Sequence, residues 1–351
     1  MRIAIVDQGI GQKQDGPVVQ AVGLINNLEK LESITSVDVV TKANYSNSSV
    51  KINHLASSSL AFSFSLLFRR RYDVVHWNYL PYNPLILLFV CFSSLVGSKN
   101  IVSIHGDLPW TEPQYTSLLR RLVEPIFYPV YFIFFKKIIF PSNCTKEILM
   151  RRTGLSGDKG VVIYNSVSES LMMGSGEVVD DSYMLCVANN DPKKNVSTLI
   201  AAFNNYRENG GRLGLYLVGS GYSGAKNKDG LKYLGMVRND GLAKYYASCQ
   251  AFVFPSMHET FGVPLAEALA FGKPVYACKK YSIPEILSEY GYYVDKCEST
   301  EDWTNIMFRI EKNEEMNNDL IEQRKKFASE FYDWKSNAVK FARVYESVGK
   351  E

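Results

Sequence analysis

The sequence predicts two α/β domains, each a parallel sheet with helices on its faces, and three observations carry that expectation. Short apolar runs of strand type alternate along the chain with segments long enough for helices, the pattern of a parallel α/β sheet. The 351 residues exceed what one ordinary core organises and suit two domains. A unit of strand, glycine-bearing loop and helix also recurs. It appears first as the apolar run 2–6, a loop with Gly9, Gly11 and Gly16, and a helical pattern over 18–31 with Val22, Ile25 and Leu28 on one face. It returns as the run 251–254, a loop with Gly262 and a helix from Pro264.

In the first domain, 1–165, further strands are expected at 37–41, 73–77, 101–105, 138–141 and 161–165. The stretch 166–182 loses periodicity and gains Ser, Gly and acid, which marks a linker. The second domain, 183–330, opens on a strand at 183–188, followed by the loop NNDPKKN and an amphipathic helix over 196–207. Strands at 215–218 and 233–235 and a helix around 242–248 come next. From 303 onward the pattern is helical, and 331–351 is expected as a final helix.

Net charge is +3, with the excess placed early: residues 1–170 hold 17 Lys and Arg against 12 Asp and Glu, and the remainder 22 against 24. That imbalance is too weak for a nucleic-acid-binding domain. The six cysteines form no C-x-x-C pair and sit mostly in apolar runs, so they read as buried free thiols in a reducing cytoplasm. Four histidines without ligand spacing give a metal site no support. The N-terminus has no signal-peptide layout, because Asp7 interrupts the first apolar run.

The stretch 254–277, FPSMHETFGVPLAEALAFGKPVYA, carries the most specific chemistry. Pro255 and Ser256 break the strand, Pro264 fits the start of a helix, where its missing N–H costs nothing, and Gly272 and Pro274 end that helix. The helix N-terminus offers unpaired N–H groups and partial positive charge to an anion, most simply a phosphate, while Gly262 lets a ligand approach the backbone. Glu259 in the loop and Glu267 in the helix suit hydroxyls rather than phosphate, since an ionised carboxylate is acceptor-only and two oxygens take both protons of a vicinal diol. A ligand with phosphates and diols is a nucleotide sugar. Taken alone, the two glutamates equally describe solvated charges on a capped surface helix.

The whole string decides between these. At Pro255, Ser256, Glu259, Phe261, Gly262, Pro264, Glu267, Ala268, Gly272, Pro274 and Val275 it resembles the E-x7-E segment of the retaining glycosyltransferases of family four, the "glycosyl transferases group 1". The resemblance extends to the strand end at 73–76, the step at 141–147, the exit at 162–165 and the glycine turn at 219–221. It implies the GT-B fold: two Rossmann-like domains with parallel sheets facing a central cleft, the last helix crossing back to the first domain. It also implies transfer of a sugar from a nucleoside diphosphate sugar to an acceptor hydroxyl, with retention, no cofactor and no obligatory metal.

Residue by residue, the resemblance makes His105, Glu259 and Lys194 the catalytic candidates, His105 facing the donor sugar and Lys194 meeting the diphosphate. Gly9, Gly11, Asn189, Lys194, Glu259, Phe261, Gly262, Val263 and Glu267 are the donor-binding candidates, Glu267 holding the ribose diol. Asn189 stands where the family often has an arginine, which removes one phosphate cation, and Ser166 where it usually has glycine. Asp107 fits either an acceptor contact or a turn, and Glu285 either a family glutamate or a helix-start carboxylate.

Basic clusters beside apolar runs at 60–71, 85–96 and 120–140 fit a peripheral contact with an anionic membrane or, equally, core helices with cationic ends. None is long enough to span a bilayer. The expected partners are therefore a nucleotide-sugar donor, a glycan or lipid-linked acceptor and an anionic membrane surface, without nucleic acid. A sugar-nucleotide epimerase of the same architecture and a non-catalytic nucleotide-sugar-binding membrane partner are the alternatives.

Overall fold

In a computed structural model, residues 1–7, 9–10, 16–41, 52–56, 72–78, 90–91, 93–95, 97–105, 117–174, 178–312 and 317–349 are described, with the backbone alone at 52–56, 120, 123–125 and 131. The chain divides into two compact units. Met1–Ser166 joined by Trp334–Glu351 makes the first, and Val167–Asp333 the second.

Among the described residues the first unit holds a seven-stranded parallel sheet: β1 Arg2–Val6, β2 Ser36–Thr41, β3 Ile52–Ala56, β4 Val74–Trp77, β5 Lys99–Ser103, β6 Lys137–Phe140 and β7 Gly160–Val162. Its order is β3-β2-β1-β4-β5-β6-β7. Because successive side chains of a strand point to opposite faces, β1 supplies two cores at once. Ile3 and Ile5 pack with Val37, Val39 and the helix Gly16–Leu28, while Ala4 and Val6 pack with Val75, Trp77, Phe132 and Phe140. The helix Trp334–Gly349 lies against Gly16–Leu28, with Trp334, Phe341 and Tyr345 in the same core.

The second unit holds a six-stranded parallel sheet, β8 Tyr183–Val187, β9 Gly214–Val218, β10 Leu231–Gly235, β11 Ala251–Phe254, β12 Val275–Cys278 and β13 Gly291–Val294, ordered β10-β9-β8-β11-β12-β13. Both sheets therefore run outward from their first strand in one direction and then in the other. This is the doubly wound nucleotide-binding order, with the reversal between β1 and β4 in one sheet and between β8 and β11 in the other.

Several sequence expectations need adjusting. β3, β12 and β13 were not among the strands expected; Asn53 and His54 interrupt the apolar pattern of β3. The helix expected over 18–31 spans Gly16–Leu28, and β5 ends at Ser103, leaving His105 in the loop beyond it. The stretch expected as a linker, 166–182, instead holds a short helix, Glu169–Met172, whose Leu171 is fully buried in the second unit. A Cβ on Gly174 would stand 2.7 Å from the Ala243 Cβ of the helix Asn239–Ser248, so this segment packs rather than spaces. All six cysteines are free and four are buried. No described helix is long and apolar enough to cross a membrane.

The helix Leu118–Ile133 buries Tyr128 and Phe132 and leaves Leu118, Leu122, Ile126, Val130 and Ile133 exposed. These recur at helical spacing and form one apolar stripe. Residues 60–71, most of 85–96, and Asp107 lie outside the described residues.

Gly23 is what lets Trp334 close the first unit, because a Cβ there would stand 2.3 Å from the indole. Gly23→Ala overpacks this contact and is expected to lower stability by about 1–3 kcal/mol. Thermal unfolding of the variant beside the wild type checks this; an unchanged Tm would show that the helix packing gives way freely.

Candidate active site

Where strand order reverses, the connections leave the sheet in opposite directions and open a crevice beyond the carboxyl ends of the strands. In the second unit this falls between β8 and β11, and the two connections there carry most of the candidate residues. After β8, a 3-10 turn over Pro192–Lys194 is capped by Asp191, whose carboxylate accepts the Lys193 N–H at 3.1 Å. The Lys193 carbonyl in turn accepts the Met257 N–H at 2.8 Å and fastens this turn to the loop after β11.

Across that junction the Lys194 ammonium donates to Glu259 Oε1 at 2.5 Å and lies 5.7 Å from the Phe254 ring centroid. Both partners are largely buried, at 18% and 11% side-chain exposure, so the pair is a held cation and carboxylate rather than a solvated surface contact. Ser282 holds the loop from below: its hydroxyl reaches the carbonyls of Glu259 at 2.9 Å and Phe261 at 3.3 Å.

Gly262 then turns the chain into the helix Val263–Ala270 with φ of 86°, in the left-handed region that favours glycine. No side chain caps this helix, so its first N–H groups and partial positive charge are presented at the loop. Pro264 takes the second helical position rather than the first. Phe261 is buried edge-on against Tyr332, 5.5 Å between centroids, so Phe261 offers a ligand its backbone rather than its ring.

Glu267, the fifth residue of the helix, is buried, and its Oε2 accepts the Tyr246 hydroxyl at 2.8 Å. Burial pushes its carboxyl up to about 7, with the Tyr246 hydrogen bond acting in the opposite direction. The alternative of two solvated surface charges is thereby removed for Glu267. Tyr246 itself was not singled out from the sequence; its only signal was its place on the apolar face of 242–248.

Asn189 is exposed on the connection after β8. Its neighbour Asn190 is tied to the turn after β9 through Ser220 O at 2.9 Å, and Gly219 makes that approach possible. Gly219 has φ of 147°, and a Cβ on it would stand 2.1 Å from the Ala188 carbonyl oxygen.

In the first unit, His105 follows β5, and its Nε2 stands 3.0 Å from Asn78 Oδ1 just past β4. Asn78 Nδ2 donates to Asp7 Oδ2 at 2.6 Å just past β1, so the contact spans the β1–β4 reversal. Burial holds His105 down at about 4, which leaves its ring neutral near neutral pH. His76 is structural: its two ring nitrogens meet Tyr345 and Ser103, each at 2.7 Å, and burial lowers it to about 3. The expectation that the Gly9 backbone meets phosphate needs correction. The Gly9 and Ile10 N–H groups point inward to Asp7 Oδ1 at 2.6 and 3.3 Å, because that buried carboxylate needs donors. Gly11 lies outside the described residues.

Glu267 binds its proton more tightly in the folded protein than at its ordinary value of 4.5, so the folded state carries the extra proton between about pH 4.5 and 7. Stability contributed by this group falls as pH rises through that window. Glu267→Gln keeps an acceptor for Tyr246 and cannot ionise. It is expected to be more stable than the wild type by about 1–3 kcal/mol at pH 8, with the gain gone near pH 4.5. Unfolding curves across this range check the expectation, and a gain independent of pH would contradict the buried titration.

Two family models adjoin along the chain: "Glycosyltransferase Family 4" matches residues 29–171 and "Glycosyl transferases group 1" matches 168–327. Similar curated proteins include O-antigen chain mannosyltransferase B of Escherichia coli, 31% identical over 125 residues that are 32% of each chain. O-antigen chain mannosyltransferase RfbU of Salmonella typhimurium is 26% identical over 62% of this chain and 66% of its own. The matches thus span from about a third to two thirds of these relatives' length. Among solved structures, a sucrose-phosphate synthase from Thermosynechococcus elongatus superposes with a TM-score of 0.73 at 18% identity, covering 99% of this chain and 98% of the other. WaaG, a glycosyltransferase involved in lipopolysaccharide biosynthesis, gives 0.69 at 13% identity, covering 98% and 99%. The fold is therefore GT-B, and with both models falling on the two doubly wound units that carry the site, the chain belongs to the group 1 glycosyltransferases.

Proposed function

We propose that this protein transfers a hexosyl group from a nucleoside diphosphate sugar to an acceptor hydroxyl, with retention at the anomeric carbon and without an obligatory metal. The carrying observation is the Lys194–Glu259 pair at the β8–β11 reversal, beside a helix N-terminus that no side chain caps. A diphosphate leaving group gathers negative charge as the glycosidic bond breaks, and a cation plus preorganised N–H groups stabilises that charge more than it does the ground state. Lys194 and the backbone at Phe261–Val263 supply these. Donor binding separates the ammonium from Glu259, whose carboxylate then accepts sugar hydroxyls, and Glu267 takes the ribose diol.

Retention follows from a same-face displacement, in which the departing diphosphate helps deprotonate the acceptor; no side chain is assigned as a covalent nucleophile. Mannose is the first sugar to test, because the named relatives above are mannosyltransferases, and surface-glycan assembly supplies the acceptor class for the same reason.

Incubation with a panel of UDP-, GDP- and ADP-sugars and a lipid-linked or glycan acceptor tests the reading. Acceptor-dependent release of nucleoside diphosphate, unaffected by chelator, is the expected result. Lys194→Ala is expected to cut kcat about 100-fold or more, since it removes a charge-stabilising donor. Conversion of the donor sugar without acceptor would overturn transfer in favour of epimerisation.

The exposed stripe Leu118, Leu122, Ile126, Val130 and Ile133 supports a further part of the proposal, a peripheral contact with anionic membrane where lipid-linked acceptors reside. Exposed Arg121 and Lys136 add cationic charge on and just beyond the helix. Sedimentation with anionic vesicles is expected to carry the protein down at low salt, less so at high salt, and to be lost in Leu122→Glu with Ile126→Glu. Equal pelleting of the double variant would place any membrane contact elsewhere.

A further inference from the structure

Asp7 and Asn78 belong to no assigned role, yet both are almost fully buried at the β1–β4 reversal, each beyond the carboxyl end of its strand. Among the described residues three N–H donors converge on the Asp7 carboxylate: the backbones of Gly9 at 2.6 Å and Ile10 at 3.3 Å on Oδ1, and Asn78 Nδ2 at 2.6 Å on Oδ2. The Pro17 carbonyl accepts from the same Asn78 nitrogen at 3.2 Å. An amide turned the other way would set its oxygen against two acceptors, so the orientation of Asn78 is decided by chemistry. Its backbone is fixed as well, by the Asn78 N–H donating to Val6 O at 3.1 Å.

What remains facing His105 is therefore the Asn78 Oδ1, an acceptor, 3.0 Å from Nε2. An acceptor there requires a proton on Nε2. In a neutral imidazole that makes Nδ1 the ring's acceptor nitrogen.

We infer that Asp7 and Asn78 are positioning residues for glycosyl transfer: the Asp7 carboxylate orients Asn78, and Asn78 holds the His105 ring as the Nε2–H tautomer. The inference rests on the proposed transfer reaction for its catalytic part, and on the three side chains alone for the tautomer. It unites two elements that sequence spacing leaves unrelated. The carboxylate that folds the glycine loop at Gly9 and Ile10 is the one that sets the histidine, so loop and ring are oriented together. The buried surroundings that lower His105 keep the ring neutral near pH 7, which a single tautomer requires.

The test is nitrogen-15 NMR of histidine-labelled protein, with His105→Gln identifying the His105 signals among the four histidines. The wild type is expected to show a protonated Nε2 and an unprotonated Nδ1 at pH 7. Asn78→Ala is expected to lose that preference and to lower kcat about tenfold to hundredfold, with affinity for the bare nucleoside diphosphate unchanged. Asp7→Asn frees Asn78 to turn and is expected to reproduce the mixed tautomer. A wild-type ring protonated at Nδ1 overturns the inference without any variant, and so does an Asn78→Ala protein that transfers at the wild-type rate. Failure of the wild type to transfer sugar from any donor instead overturns the proposed function, and the catalytic part of this inference with it.

Discussion

A parallel sheet built outward from its first strand in both directions must part its connections at the reversal, and the described candidate site residues are placed by that constraint. The first unit reverses between β1 and β4, the second between β8 and β11. In each, the residues with unusual chemistry stand just beyond the strands at the reversal: Asp7 and Asn78 after β1 and β4, with His105 after the neighbouring β5, in one, and Lys194, Glu259 and the uncapped helix start in the other. Strand cores with side chains packed on both faces hold these loops at fixed points, which loops on their own do not achieve.

The two crevices resolve buried polarity differently. In the second unit the Lys194–Glu259 pair satisfies a cation and a carboxylate with each other; in the proposed reaction a ligand carrying both phosphate and hydroxyl exchanges that contact for two better-matched ones. Among the described residues Glu267 has the Tyr246 hydroxyl as its hydrogen-bond donor and no cation beside it, and burial raises its carboxyl. Such unresolved desolvation costs stability and is characteristic of groups kept for function. In the first unit polarity is resolved internally, through a carboxylate that collects three N–H donors and hands an amide's orientation on to a histidine.

This difference explains which parts of the site were readable beforehand. Glu259, Gly262 and Glu267 lie within one contiguous pattern of strand, loop and helix and Lys194 within another, and local physics ties each to a position: proline near a helix start, glycine at the turn into it, lysine just ahead of a helix. Tyr246 and Ser282 carried no such signal. Each acts on the loop or helix through one hydroxyl brought from another element, 21 residues away for Tyr246 and 23 for Ser282 from its partner. Gly9 was misread for the related reason that nothing in its spacing reveals that Asp7, two residues before it, claims its N–H.

By itself the sequence determined the alternation of strands and helices, the presence of two parallel sheets, the family, the loop that carries Lys194, and the separate loop and helix that carry Glu259 and Glu267, because each of these depends on residues close together in the chain. Tertiary structure alone decided that Glu267 is buried against Tyr246, that Lys194 and Glu259 pair across 65 residues, and that Asp7 reaches His105 through Asn78 across 71 and then 27. It also decided that the last helix closes the first unit through Trp334 against Gly23. These are contacts between elements whose separation is set by strand order, and strand order is fixed by how whole faces bury against one another rather than by any local run of residues.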